Sequence, residues 1–176
     1  MYYLMLVLNI VNVLGFAAAA ALGLVVGERW YGDPAVRDRL MFWHTTVGLF
    51  SSLFALFVHG FLVFTYFIGT GIAVKEALKD NGLSLELFQP TRRFKARVFP
   101  IAFFAVMFTV AGTVVGGGVA SHWIPTWVHV SLIGLGLLLN LWAIPVEVRV
   151  CRENAELMNR VDDLVVATRA AGNKPG

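Results

Sequence analysis

The sequence predicts an all-α integral membrane protein, an antiparallel four-helix bundle with helical extensions on the cytoplasmic side. Three observations support this fold class. Of the 176 residues, 58% are hydrophobic and only 14% are charged, whereas soluble domains are about 45–50% apolar and about 25% charged. The hydrophobic residues fall into four long blocks. The basic residues concentrate between the second and third blocks and after the fourth.

Each hydrophobic block is long enough to cross a membrane as a helix. A helix rises about 1.5 Å per residue, so about 20 residues cross a hydrocarbon core of about 30 Å. Lipid offers no hydrogen-bond partner to the backbone, which excludes open strands. The predicted spans are residues 3–26, 41–72, 98–119 and 125–146.

The charges of the connecting segments predict the orientation of the spans. The loop between the third and fourth spans has no Lys or Arg, and in the first loop the basic and acidic residues are equal in number. The positive-inside rule therefore places the middle segment and both termini in the cytoplasm, with the spans in the plasma (inner) membrane. The first loop contains Arg29, Arg37 and Arg39 with Glu28, Asp33 and Asp38. The cytoplasmic basic residues are Lys75, Lys79, Arg92, Arg93, Lys95, Arg97, Arg149, Arg152, Arg160, Arg169 and Lys174.

The cytoplasmic segments are expected to be helical extensions of the spans. The second helix should end at Asn81-Gly82, a favourable C-cap pair, and Thr91 should cap the start of the third. Residues 148–176 are expected to form an amphipathic helical tail, which either packs on its own bundle or docks a partner subunit. Its apolar residues are Val150, Leu157, Val161 and Leu164.

Two segments of the chain resemble each other. Residues 22–27 and 111–116 share four of six residues, and each precedes a short loop and a histidine with aromatic neighbours, His44 or His129. Two helical hairpins related by a pseudo-two-fold axis along the membrane normal would produce such a repeat.

His44 and His129 are the main candidates for a functional site. Each lies near the predicted outer end of its helix, on the side where polar and small residues indicate an inward face. Two neutral imidazoles are what a bis-histidine haem requires, and Gly48 and Gly136 on the same faces would leave room for the macrocycle. In this arrangement the chain resembles membrane b-type cytochromes. The resemblance implies one haem b near the outer face and an electron-transfer subunit, with quinone as a candidate carrier.

Two alternatives remain open for these histidines. In the first, the histidines have a structural role near the lipid headgroups, in a cofactor-free accessory or scaffold subunit of a larger membrane complex. In the second, they form a copper or zinc site together with His122. All three hypotheses describe a subunit in the bilayer rather than a stand-alone enzyme, with other membrane subunits contacted through the C-terminal helix. None involves nucleic acid, because the net charge of +3 reflects the basic loops of a membrane protein.

A second polar layer is predicted around His59, which follows His44 by 15 residues or about 22 Å along a helix. Asn12 and Asn140 should lie at a similar depth. These residues form either a hydrogen-bonded cluster that fixes helix register or a proton or quinone site. Glu147 is expected to reach water at the inner end of the fourth helix, without a chemical role.

Overall fold

The computed structural model describes residues 1–27 and 33–172, and the protein is all-α, as the sequence predicts. No β-strand occurs in the described ranges. Two sequence predictions extend outside the described residues. They concern Glu28 and Arg29 in the first loop, and residues 173–176 with Lys174 in the C-terminal tail. We number the four long helices α1 (Tyr2–Gly27), α2 (Pro34–Asp80), α3 (Gln89–Ala120) and α4 (Thr126–Gly172).

All four helices contain a stretch that is long and apolar enough to cross a membrane. The helices are longer than the predicted spans, because hydropathy marks only the apolar part of a helix whereas backbone hydrogen bonding continues into its polar ends. α2 begins at Pro34 rather than near residue 41, and α4 continues past Val146 to Gly172. α4 packs against each of the other three helices.

The helical geometry of α2 changes in its middle. The chain is α-helical over Pro34–Ala55, π-helical over Leu56–Val63 and α-helical again over Phe64–Asp80. A π-helix is rare and occurs frequently at functional sites. The segment contains His59, which is fully buried.

The helix ends show which capping predictions hold. α2 ends at Asp80, with Asn81 as its C-cap and Gly82 following at a positive φ of 63°, as predicted. The prediction for Thr91 is wrong. A 3₁₀-helix over Leu85–Phe88, capped by Ser84, leads directly into α3 at Gln89, so that Thr91 lies inside the helix and is buried. The helical turn therefore starts earlier than the Pro90-Thr91 pair indicates.

The C-terminal part of α4 packs against the rest of the chain. Arg97 on α3 donates to Glu153 at 2.7 Å, and Arg169 donates to Asn81 at the end of α2 at 3.0 Å. The apolar side of the tail thus covers a core formed with α2 and α3, while the predicted Leu164 is only half-buried. This core includes Leu78, Phe94, Val98, Val150, Leu157, Val161 and Val165.

Truncation of the chain after Arg149 should therefore destabilise the remaining helices. It removes Leu157, Val161 and Val165 from the core, and burial of such side chains contributes about 1.5–3 kcal/mol each. We expect a clearly lower thermal unfolding midpoint in detergent. Truncation after Arg169, beyond the last core residue, is the control and should leave the midpoint unchanged. Equal midpoints for the two truncated proteins would show that the tail does not stabilise the fold.

Candidate functional site

The histidines predicted on the second and fourth helices lie side by side. The ring centroids of His44 and His129 are 6.1 Å apart, and the ring planes are at 89° to each other. His129 lies in the first turn of α4, and His44 lies about three turns into α2 because this helix begins earlier than predicted. Both side chains are half-buried. We call these two residues the histidine pair.

Each imidazole of the histidine pair is held by a backbone carbonyl of the preceding helix. The Nδ1 atom of His44 is 2.8 Å from the carbonyl oxygen of Ala19, and that of His129 is 2.7 Å from the carbonyl oxygen of Gly112. A carbonyl only accepts, so each Nδ1 carries a proton and donates it, and in the neutral imidazole each Nε2 then keeps a lone pair. Neither Nε2 atom has a hydrogen-bond partner within residues 1–27 and 33–172.

A glycine makes room for each ring. A Cβ atom at Gly23 would lie 2.7 Å from Cε1 of His44, and one at Gly116 would lie 3.0 Å from Cε1 of His129. Both distances are shorter than ordinary van der Waals contact. The imidazoles therefore lie against helix backbone at positions where only glycine leaves space.

The two helix pairs, α1 with α2 and α3 with α4, share this arrangement. In both, the glycine follows the accepting carbonyl by four residues. The structure equates Gly23 with Gly116 and Ala19 with Gly112. The sequence repeat instead aligns Gly23 with Gly112, which differs by one helical turn. In the register that the contacts define, residues 22–27 align with residues 115–120 and share only two of six residues. The sequence similarity therefore does not mark the structural equivalence, whereas the contacts do.

The other residues predicted near the histidine pair have separate positions. His122 lies in the turn after α3, where it is exposed and has a positive φ of 61°. The described residues contain no group of three His, Cys, Asp or Glu side chains that could hold a metal ion, and the metal site with His122 stays a prediction. A Cβ atom at Gly48 would meet nothing nearer than 3.9 Å. Gly136 is buried and instead lets α4 approach Thr109 on α3, whose backbone nitrogen would be 3.3 Å from a Cβ atom at Gly136.

A second set of polar side chains lies deeper between the helices, and every helix contributes to it. The structure brings together the three residues predicted there. His59 Nε2 lies 2.9 Å from Oδ1 of Asn140, and Asn12 Nδ2 donates to the same oxygen at 2.7 Å. Each of these side chains is at most 1% exposed. We call the whole set the polar cluster, and it consists of Asn9, Asn12, His59, Thr109, Asn140 and Glu147.

Glu147 is a central member of the polar cluster, and the expectation that it reaches water is wrong. Its side chain is completely buried, with Oε1 2.8 Å from Nδ1 of His59 and Oε2 accepting from Asn9 Nδ2 at 2.9 Å. The signal for this position was the spacing of seven residues from Asn140, which places both on one helix face. A buried carboxylate requires a partner in a low-dielectric interior, and His59 is that partner.

Comparison with protein-family models, with curated proteins and with solved structures finds no match for this chain. Its function therefore has to be inferred from the histidine pair and the polar cluster. Both sets lie between helices rather than at an exposed loop, so helix packing determines their geometry.

Replacement of Glu147 by alanine should strongly destabilise the protein. It leaves Nδ1 of His59 and the Nδ2 group of Asn9 with one partner fewer in the interior, and removal of one member of a buried pair costs about 3–5 kcal/mol. The measurement is the thermal unfolding midpoint in detergent. Glu153→Ala, which breaks the partly exposed pair with Arg97, is the control and should cost about 0–1 kcal/mol. A Glu147→Ala protein as stable as the Glu153→Ala protein would contradict the role assigned to the pair.

Proposed function

We propose that this chain is a membrane electron-transfer subunit that binds one b-type haem between α2 and α4, with His44 and His129 as axial ligands. The observation that carries the proposal is the geometry of the histidine pair. Two imidazoles from different helices lie close together, each with its Nδ1 proton engaged and its Nε2 lone pair available. This is the donor set that a six-coordinate haem iron takes from protein.

The separation of the rings matches ligation of a single metal ion from opposite sides. A metal–imidazole bond is about 2 Å long and a ring nitrogen lies about 1 Å from its ring centroid, so the two centroids should be about 6 Å apart. The observed separation is 6.1 Å. The perpendicular ring planes are compatible with ligation of one iron, since the iron itself does not fix the angle between two imidazole planes. The carbonyl groups of Ala19 and Gly112 would hold that angle.

The surrounding backbone suits the histidines to this role. A ligating histidine usually donates its other N–H to a carbonyl or carboxylate, which fixes its orientation and raises its basicity. The carbonyl groups of Ala19 and Gly112 provide that second interaction for His44 and His129. When bound, a b-type haem supplies one-electron transfer at its iron. The chain would contribute the two imidazole ligands and their orientation.

We further infer that the helices cross the bilayer as an antiparallel bundle, with both termini in the cytoplasm and the histidine pair near the outer face. The distribution of Lys and Arg supports this orientation. Exposed tryptophans near the histidine pair support it as well, since such residues are enriched where a membrane meets water. Trp43, Trp123 and Trp127 are between 50% and 89% exposed. Electrons would then pass between a quinone pool in the bilayer and a carrier outside.

The proposal predicts a coloured protein. Purified from haem-replete cells, the chain should show a Soret band and, after reduction, an α-band. His44→Ala and His129→Ala should each abolish both bands, because each removes an axial ligand. His122→Ala is the matched control and should keep them. A colourless wild-type protein would rule out the haem, and elemental analysis of the same sample would then distinguish a copper or zinc protein from a cofactor-free subunit.

Substitution of the glycine beside His44 should weaken haem binding without removing a ligand. In Gly23→Ala the new methyl group occupies the position 2.7 Å from Cε1 of His44, which forces the ring away from the carbonyl of Ala19. Loss of such a supporting interaction typically costs about 10- to 100-fold in metal affinity. The measurement is haem retained per protein during dilution. Gly117→Ala, where no atom lies within 4 Å, is the control, and equal retention by both variants would contradict this account.

A further inference from the structure

His59 and Glu147 form a buried acid–base pair whose neighbours determine where its protons lie. Asn140 Nδ2 donates to the carbonyl of Gly136 at 2.7 Å and to Thr109 Oγ1 at 3.2 Å. This orientation directs the amide oxygen of Asn140 to Nε2 of His59 at 2.9 Å. Because an amide oxygen only accepts, Nε2 of His59 carries a proton.

The other end of the pair is determined in the same way. Asn9 Nδ2 donates to the carbonyl of Met5 at 3.0 Å and to Oε2 of Glu147 at 2.9 Å, so Oε2 carries no proton. The remaining contact, from His59 Nδ1 to Glu147 Oε1 at 2.8 Å, would oppose two lone pairs unless it contained a proton. The pair therefore holds one proton in this contact. Its net charge is zero whether that proton is on the imidazole or on the carboxylate.

One unpartnered oxygen atom of the polar cluster is suited to accept a hydrogen bond from a second proton on the pair. The Oδ1 atom of Asn9 is buried and has no hydrogen-bond partner. A second proton on the pair would sit on Oε2 of Glu147, which already faces the amide of Asn9. Rotation of that amide would turn Oδ1 towards the new O–H group and provide it with a partner, at the cost of the hydrogen bond that Nδ2 donates to the carbonyl of Met5. The structure thus has a hydrogen-bond acceptor available for the doubly protonated pair.

We propose that the His59–Glu147 pair is a redox-linked proton-binding site. Its affinity for a second proton rises when an electron reaches the site between His44 and His129, and this inference rests on the proposed haem function. The step is balanced: an external reductant would supply one electron to the haem, and a hydronium ion of the surrounding water would supply one proton to the pair. With the added proton His59 is an imidazolium and Glu147 a carboxylic acid, and the bond to that proton is the only bond that forms within the protein.

The environment of the pair explains why the electron and the proton are coupled. The side chains that hydrogen-bond to the pair are uncharged. The titratable groups beside it are the Cys151 thiol, which interacts electrostatically with Glu147, and the N-terminal ammonium, which interacts with Cys151. No Lys or Arg forms a salt bridge with the pair within the described ranges. With about 20 Å between the two sites and an effective dielectric constant of about 20, one electron strengthens proton binding about fourfold. The uncharged groups that face the pair are Asn9, Asn12, Thr109 and Asn140.

The backbone around His59 indicates more than a structural role for the pair. His59 lies in the π-helical segment, a rare geometry that is frequent at functional sites.

The test is a reductive titration of the haem-loaded protein between about pH 6 and pH 8. The midpoint potential of the wild-type protein should fall as pH rises, by a total of about 35 mV, the fourfold effect at 59 mV per tenfold change. Glu147→Gln should abolish the dependence, since its amide can donate to His59 Nδ1 and accept from Asn9 while binding no proton. Glu153→Gln, at the partly exposed pair with Arg97, should retain it.

A second measurement needs no variant. The infrared difference spectrum of the wild-type protein, reduced minus oxidised, should gain the carbonyl-stretch band of a protonated carboxylic acid. A pH-independent potential, an unchanged dependence in Glu147→Gln, or a missing carboxylic-acid band would each overturn the proton site while leaving the haem in place. A protein without a Soret band would overturn the haem function and, with it, the coupling.

Discussion

The hydrogen bond from each member of the histidine pair to a helix backbone is the interaction on which the proposed site depends. In an α-helix the carbonyl of residue i accepts from the amide of residue i+4. For Ala19 that residue is Gly23, and for Gly112 it is Gly116. The missing Cβ atom at i+4 opens access to the second lone pair of the carbonyl. A glycine on one helix thus sets the tautomer and position of a histidine on the next.

The polar cluster imposes a different constraint, because it ties all four helices together at one level. Its charged members cannot reach solvent, so each must find its partner within the protein. Sliding any helix by one residue would rotate its polar side chain away from the cluster and leave an unsatisfied group in an apolar interior. The π-helical segment of α2 is part of this arrangement, since it lies between His44 and the second half of the helix and sets the direction in which His59 points.

Sequence patterns predicted the helices and the inward position of the histidines, because an apolar environment sorts residues by polarity and a helix has a fixed period. They did not predict the π-helical segment, which departs from the assumed 100° per residue. They misplaced Glu147, because a carboxylate near the end of an apolar block was taken to reach water, although α4 continues well beyond that block. They also placed Gly136 beside the histidines, whereas in the structure it lies against Thr109 on α3. How closely α3 and α4 approach each other depends on side-chain packing, which a hydrophobicity pattern does not reveal.

The relative orientation of the two imidazole planes provides the most direct test of the central claim. Electron paramagnetic resonance of the oxidised protein reports it, because the angle between axial imidazole planes determines the anisotropy of a low-spin ferric haem. With planes at 89°, we expect the strongly anisotropic low-spin signal of perpendicular ligands, and its loss in His44→Ala and His129→Ala. A high-spin signal, or the rhombic low-spin signal of parallel imidazoles, would contradict bis-histidine ligation in the geometry described for this pair.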